Sequence, residues 1–320
     1  MINYNFFSKF LHDFILSNKF INKSLYEFEK LIFLKKTEIS LNKHVFITGL
    51  PRSGTTVLLN YIYASNLFAS FKYSNMPLIL APNISKMIPN RKIPKKERLH
   101  QDGITFDLDS PEAFDEIFFS TFNDEETKEE LINYLRLLLL SQNKTKYLSK
   151  NNLNYKRIHK IKSILPNSLF LIPIREPEAH SQSLYNQNKN FCELQKKDDF
   201  IRRYMNYLGH NEFGLNHKPW NSPDKYKEET NKNYWLEQWI MFYEYIYKIY
   251  GSDKNCMFVI YEKLPSEKTI LKISKFIDIK FNKYGFLNQN KTQNYDNFDK
   301  NLVQKAKEIY FKFFNHNNSN

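Results

Sequence analysis

Cysteine is nearly absent. The chain has two, Cys192 and Cys256, in 320 residues. They form neither a CxxC nor any other metal-ligand spacing, and their scarcity fits a reduced, cytoplasmic setting. No apolar run reaches the length of a membrane span; Leu137-Leu138-Leu139-Leu140 is too short and sits in a helical pattern. The N-terminus lacks a basic-then-apolar leader, so the expectation is a soluble cytoplasmic protein. Internal repeats are missing. Glycine is scarce, at 7, and two of these, Gly49 and Gly54, bound one short loop. Negative charge is in deficit: 34 Asp and Glu face 47 Lys and Arg, for a net charge of +13.

That balance favours anionic partners. Nucleic acid is not expected among them, because the basic cluster Arg91-Lys92-Ile93-Pro94-Lys95-Lys96-Glu97-Arg98 lacks the aromatic interleaving of an RNA-binding surface. The cluster reads either as a solvated loop or as a rim for an acidic acceptor. Hydrophobic residues make up 42% of the chain, which excludes disorder throughout. Phe (28) and Tyr (21) are abundant alongside Lys, Asn and Ile, a bias of the whole composition that weakens any single aromatic or lysine as a clue. The length suffices for a full core, and one α/β domain with insertions is expected.

The most informative segment runs from His44 to Asn60. Val45-Phe46-Ile47 reads as a buried strand, Gly49-Leu50-Pro51-Arg52-Ser53-Gly54 as a loop, and an amphipathic helix starts at Thr55. Such a strand–loop–helix aims backbone N–H groups at one spot, at the positive end of a helix dipole, where a phosphate-like anion fits. The loop departs from the nucleoside-triphosphate pattern G-x-x-x-x-G-K-[ST] at one place: Thr55 stands where the lysine belongs. The positive charge sits inside the loop instead, at Arg52. This suits a 5′-phosphate diester better than a triphosphate clamped with magnesium.

A second strand–turn–helix lies at Leu169-Phe170-Leu171-Ile172-Pro173-Ile174-Arg175, followed by Pro177, which a first helical turn accepts, and by Ser183. Arg175 carries a forked guanidinium at the strand end, and Ser183 lies about two turns into the following helix.

Pro51-Arg52-Ser53-Gly54-Thr55-Thr56 resembles the 5′-phosphosulfate loop of the sulfotransferases that use 3′-phosphoadenosine-5′-phosphosulfate (PAPS). Arg175 with Ser183 eight positions on resembles that family's 3′-phosphate site. Three weaker likenesses extend it: Lys150 in Tyr147-Leu148-Ser149-Lys150-Asn151-Asn152, the run Phe258 to Leu264 with its following helix, and Asp107 to Glu116. The likeness covers about Val45 to Ile279. It implies a P-loop nucleoside-triphosphate-hydrolase-like fold and transfer of a sulfuryl group from PAPS to a hydroxyl acceptor, with no metal. It implies Pro51, Arg52, Ser53, Gly54, Thr55, Thr56, Arg175 and Ser183 as nucleotide-binding residues, and Arg52 and Lys150 as stabilisers of charge on the transferring group. The common pattern has a proline two residues after that lysine, where this chain has Asn152.

Alternating strands and helices imply a mainly parallel sheet flanked by helices, with ligands at the carboxyl ends of its strands. Strands are expected near 45–49, 67–71, 146–150, 168–174 and 256–261, and a helix over Asn233 to Tyr250. Residues 1–43 read as a helical extension with Phe6, Phe7, Phe10, Leu11 and Phe14 at helical spacing. Such a stripe either packs on the core, the commoner outcome, or makes a peripheral membrane contact. Segments 76–124 and 188–232 read as insertions over the acceptor side.

An alcohol acceptor needs a general base, and Lys72-Tyr73-Ser74-Asn75, where relatives have an acid, offers no carboxylate. His100, Asp102 and Glu112 are the next candidates, His100 foremost because its ordinary pKa lies near neutrality. The acceptor class reads as a glycan or another small or lipid alcohol. A nucleotide kinase and a non-catalytic nucleotide- or polyanion-binding module remain the alternatives.

Overall fold

The computed structural model describes residues 6–89, 94–97, 105–222, 225–280 and 297–319. In chain order, α1 (Phe6–Leu16) and α2 (Lys19–Phe33) precede β1 (Val45–Ile47), α3 (Thr55–Tyr63), β2 (Phe68–Ala69) and α4 (Pro82–Met87). A short antiparallel pair, β3 (Lys96–Glu97) and β4 (Thr105–Phe106), leads to α5 (Glu116–Thr121) and α6 (Asp124–Gln142). Then come β5 (Lys146–Lys150), α7 (Ile158–Ile164), β6 (Leu169–Ile174), α8 (Pro177–Lys197) and α9 (Asp199–Tyr207). The chain closes with α10 (Lys232–Tyr250), β7 (Cys256–Ile260), α11 (Glu267–Ile277) and α12 (Lys300–Ser319).

Five strands form one parallel sheet in the order β2-β5-β1-β6-β7. The period-2 alternation of a strand divides their side chains between two layers. Val45, Ile47, Leu148, Leu169, Leu171 and Val259 pack on one face beneath α3 and α11, with Leu58, Leu59, Ile62, Ile270 and Ile273. Phe46, Tyr147, Phe170, Ile172 and Phe258 point the other way, into the larger core with Leu135, Leu138, Trp235, Trp239 and Phe313. Both faces are covered, which is why these strands read as continuous apolar runs. The five expected strands are all present; Lys146–Lys150 keeps its expected bounds, the other four are shorter by a residue or more, and the expected helix over Asn233 to Tyr250 begins at Lys232.

Helix starts follow their caps. Asn123 and Glu126 form a reciprocal capping box on α6, and Asn18 accepts from two N–H groups of α2. Pro177 is the first residue of α8, whose Ala179 N–H is taken by the Glu176 carboxylate at 2.7 Å.

The N-terminal stripe is corrected in one respect. Phe6, Phe7, Phe10 and Phe14 do not pack on the core; Phe6 is 88% exposed and Phe14 still 54%. The inward face of α1 is His12, Ile15 and Leu16, with His12 against Phe200 and Tyr204 of α9. α1 carries apolar residues on both faces, and the aliphatic one was taken by the core. No helix among the described residues is long and apolar enough to cross a membrane.

Candidate active site

Two neighbouring strands, β1 and β5, end side by side, and β6 runs on beside them to Ile174. Ile47 of β1 is in register with Lys150 of β5 and with Leu171 of β6, and Thr48 N–H still donates to Leu171 O (3.0 Å). The chain then turns away through the loop to α3. Its path needs left-handed backbone at Arg52 (φ 69°) and at Gly54 (φ 102°), the residue that starts α3. Gly54 has a second reason to lack a side chain, since a Cβ there would lie 2.5 Å from Tyr261 Cδ2. No side chain caps α3, so the N–H groups of its first turn face the loop as open donors.

The loop is held from behind. Ser53 Oγ donates to Leu50 O (2.7 Å), and His180 Nε2 donates to Pro51 O (2.8 Å). His180 is fully buried on α8, and burial pushes its pKa down to about 3, so it stays neutral and its Nε2–H serves as a fixed donor.

Arg175 follows the last residue of β6, and Tyr261 follows the last residue of β7, which pair in register as Ile174 and Ile260. The guanidinium lies over the Tyr261 ring, 5.2 Å from its centroid. Arg175 Nη1 donates to Arg52 O (3.2 Å), while Arg52 Nε donates to Ser183 Oγ (3.1 Å). Arg52, far from Arg175 and Ser183 in the chain, thus shares one corner with them beside the open turn of α3. No carboxylate pairs with Arg175 among the described residues. Thr55 is buried at the start of α3 and Thr56 is half-buried beside it.

Lys150 ends β5 on the other side of β1. Its Nζ donates to Glu112 Oε1 at 3.0 Å, and the two side chains are only 9% and 11% exposed. Glu112 Oε1 also accepts from Ala113 N–H (2.9 Å), and Oε2 accepts from Tyr73 OH (3.0 Å). His100 and Asp102 lie outside the described residues.

A further charged pair adjoins Lys150. His210 and Glu212 lie on the loop after α9, with His210 Nδ1 3.4 Å from Glu212 Oε1. Asn152 Nδ2, two residues beyond Lys150, donates to the same oxygen at 2.9 Å. Burial opposes charge on both groups, but each outweighs it for the other. Glu212 falls to about 2, with help from Asn152, and His210 is raised, with Lys150 and Glu112 acting on it in opposite senses. Neither residue was a sequence candidate, nor were Tyr261 and His180. The segment Gly209 to Gly214 carries no spacing that names a chemistry, so only the fold brings it to the strand ends.

The profile of the sulfotransferase family matches residues 44–283. The chain belongs to that family. The match takes in the loop, Lys150, Arg175, Ser183 and the His210 loop, so this sulfotransferase carries the whole constellation within the shared region. No curated protein sequence matches it. Among solved structures it is similar to sulfotransferase STF1 from Mycobacterium tuberculosis H37Rv, at 10% identity, with a TM-score of 0.54 over 95% of this chain and 85% of that one. It is also similar to sulfotransferase STF9 from Mycobacterium avium, at 12% identity, with a TM-score of 0.46 over 98% of this chain and 79% of that one. The parallel five-stranded α/β sheet is therefore the sulfotransferase fold, and the chain is a transferase by family.

Proposed function

We propose that this sulfotransferase moves the sulfuryl group of PAPS to a hydroxyl acceptor. The observation that carries the reading is the pairing of two anion sites at one corner of the sheet. One is the loop Pro51 to Thr56 with the open first turn of α3; the other is Arg175 with Ser183, joined to the loop through Arg52. A nucleotide with a 5′-phosphosulfate and a 3′-phosphate presents two separated anions, and PAPS supplies an activated sulfuryl group when bound. The donors fit it: backbone N–H groups, two guanidiniums and a hydroxyl face the corner, and the guanidinium of Arg175 is not consumed by a carboxylate of the described residues. Thr55, at the position of the nucleotide-clamping lysine, disfavours a triphosphate.

In this reading Pro51, Ser53, Gly54, Thr55 and Thr56 shape the cradle for the 5′ group. Arg175 and Ser183 hold the 3′-phosphate. Arg52 and Lys150 meet the charge that spreads over the equatorial oxygens during transfer. Glu112 fixes Lys150 Nζ toward the strand ends. The acceptor is an alcohol, a glycan or a small or lipid alcohol, and the transfer needs no metal. The deciding experiment incubates the protein with radiolabelled PAPS and a desalted bacterial extract. Label appearing in an extract component is the expected result. Absence of transfer, together with equal thermal stabilisation by ATP–magnesium and by 3′-phosphoadenosine-5′-phosphate (PAP), would overturn it.

A further inference from the structure

Removal of the acceptor's proton calls for a basic atom that is positioned but not already engaged. Glu112 is positioned, yet both its oxygens are occupied: Oε1 by Lys150 Nζ and Ala113 N–H, Oε2 by Tyr73 OH. His210 differs. Its Nδ1 is turned to Glu212, and its Nε2 has no hydrogen bond to a described residue, while the ring remains 26% exposed.

The loop that carries it is rigidly seated. Gly209 has left-handed backbone (φ 68°), and a Cβ there would lie 2.6 Å from Glu116 Cγ, so the loop rests directly on α5. Glu116 is in turn held by Arg157 through two bonds of 2.9 and 3.0 Å. On the far side Gly214 N–H donates to Asn188 Oδ1 (2.8 Å), and Lys218 N–H donates to Asn211 O (2.8 Å). Glu212 itself is 8% exposed and tied to the end of β5 by Asn152. A carboxylate on Nδ1 selects the tautomer whose basic nitrogen is Nε2 and stabilises the imidazolium after it takes a proton.

We propose that His210, oriented by Glu212, accepts the proton of the acceptor hydroxyl, and that Glu112 holds Lys150; this rests on the PAPS-dependent reading above. As the acceptor oxygen forms its bond to sulfur, its proton passes to His210 Nε2. The bond between sulfur and the 5′-phosphate oxygen breaks, and its electron pair leaves with PAP. The imidazolium then releases the proton to solvent. His210 is a catalytic residue in this scheme and Glu212 a positioning residue. The charged groups that face His210 are Glu212 from its own loop, Lys150 from β5 and Glu112 from the segment before α5. Protonated His210 cannot act as the base, so transfer rises with pH through its ionisation, which Glu212 holds above the ordinary histidine range.

The test uses the full chain, radiolabelled PAPS at saturation and the same bacterial extract as the hydroxyl source. H210Q should lower the rate of label transfer about 100-fold or more, with PAP affinity by calorimetry unchanged, and should lose the acid limb of the pH profile. E212Q should keep part of the activity and move that limb to lower pH, because the carboxylate that raises the His210 ionisation is gone. NMR titration of the His210 ring should show the same displacement, a readout that a purely structural role would not produce. E112Q should slow transfer and move the limb in the same direction but by less than E212Q, because Glu112 raises the His210 ionisation less than Glu212 does. Wild-type transfer that survives H210Q within about threefold, at intact PAP affinity, overturns the proposal alone. An acid limb that moves further in E112Q than in E212Q also overturns it. Failure of the wild type to transfer from PAPS overturns the underlying reading and this proposal together.

Discussion

Removing either member of the Lys150–Glu112 pair should destabilise the protein, and removing both should cost less than the two losses added. The charges sit 3.0 Å apart with side chains about one-tenth exposed. At an effective dielectric of about 20, that separation corresponds to about 5 kcal/mol of attraction, offset in part by the desolvation of both groups. Breaking one side leaves a charge buried without its partner, at about 3–5 kcal/mol. The lower end applies here, because Glu112 keeps the Tyr73 hydroxyl and the Ala113 N–H when Lys150 is gone. K150M and E112Q should therefore each lose about 3 kcal/mol. At about 2.1 cal/mol/K of unfolding entropy per residue, a chain of 320 residues loses about 1.5 °C per kcal/mol, so each Tm should fall by about 4–5 °C. The double variant should recover about 2 kcal/mol relative to additivity. Urea titrations of the four proteins measure the cycle. Additivity within about 0.5 kcal/mol would refute the claim that these charges depend on one another.

G54A should cost about 2–4 kcal/mol, part from left-handed backbone and part from the collision with Tyr261. Pairing it with Y261A should restore only the second part, and full restoration would show that the backbone of the loop is unstrained. The buried histidines set an acid limb of stability. Burial lowers His180 to about 3 and His44 to about 4, so the unfolded chain binds their protons first. Their contribution is complete above about 6.5, the ordinary histidine value, and is lost as pH falls from there through about 4 to 3. Chemical denaturation between pH 7 and pH 4 should show falling stability, with a shallower fall in H180N, whose side chain has no proton to gain; an unchanged slope in H180N would contradict the assignment.

The sheet was legible because its strands are buried on both faces and so stand out as unbroken apolar runs, from Val45-Phe46-Ile47 to Phe258-Val259-Ile260. The loop was legible because its geometry is local: two glycines, an internal arginine and a helix start lie between Gly49 and Thr55. Arg175 and Ser183 were singled out by their likeness to the sulfotransferases' strand-end arginine with a serine eight positions on, and the structure brings both beside Arg52. His210 was not, since nothing near Gly209 announces that α9 returns its loop to the end of β5, some 60 residues earlier in the chain. Tyr261 and His180 escaped notice for the same reason, as their partners Gly54 and Pro51 lie on other elements. The outward turn of Phe6, Phe7, Phe10 and Phe14 was misjudged because a helix apolar on both sides does not reveal which side the core will take.

The central claim is that the loop and the Arg175–Ser183 corner serve one nucleotide, and calorimetric titration of PAP and AMP into the wild type and R175A tests it most directly. PAP should bind the wild type far more tightly than AMP, since only PAP carries both anions. R175A should weaken PAP by about 1.5–3 kcal/mol, the scale of a hydrogen bond to a charged group, while leaving AMP nearly unchanged. Equal affinity of the wild type for PAP and AMP, or an equal loss of both in R175A, would contradict the two-site account.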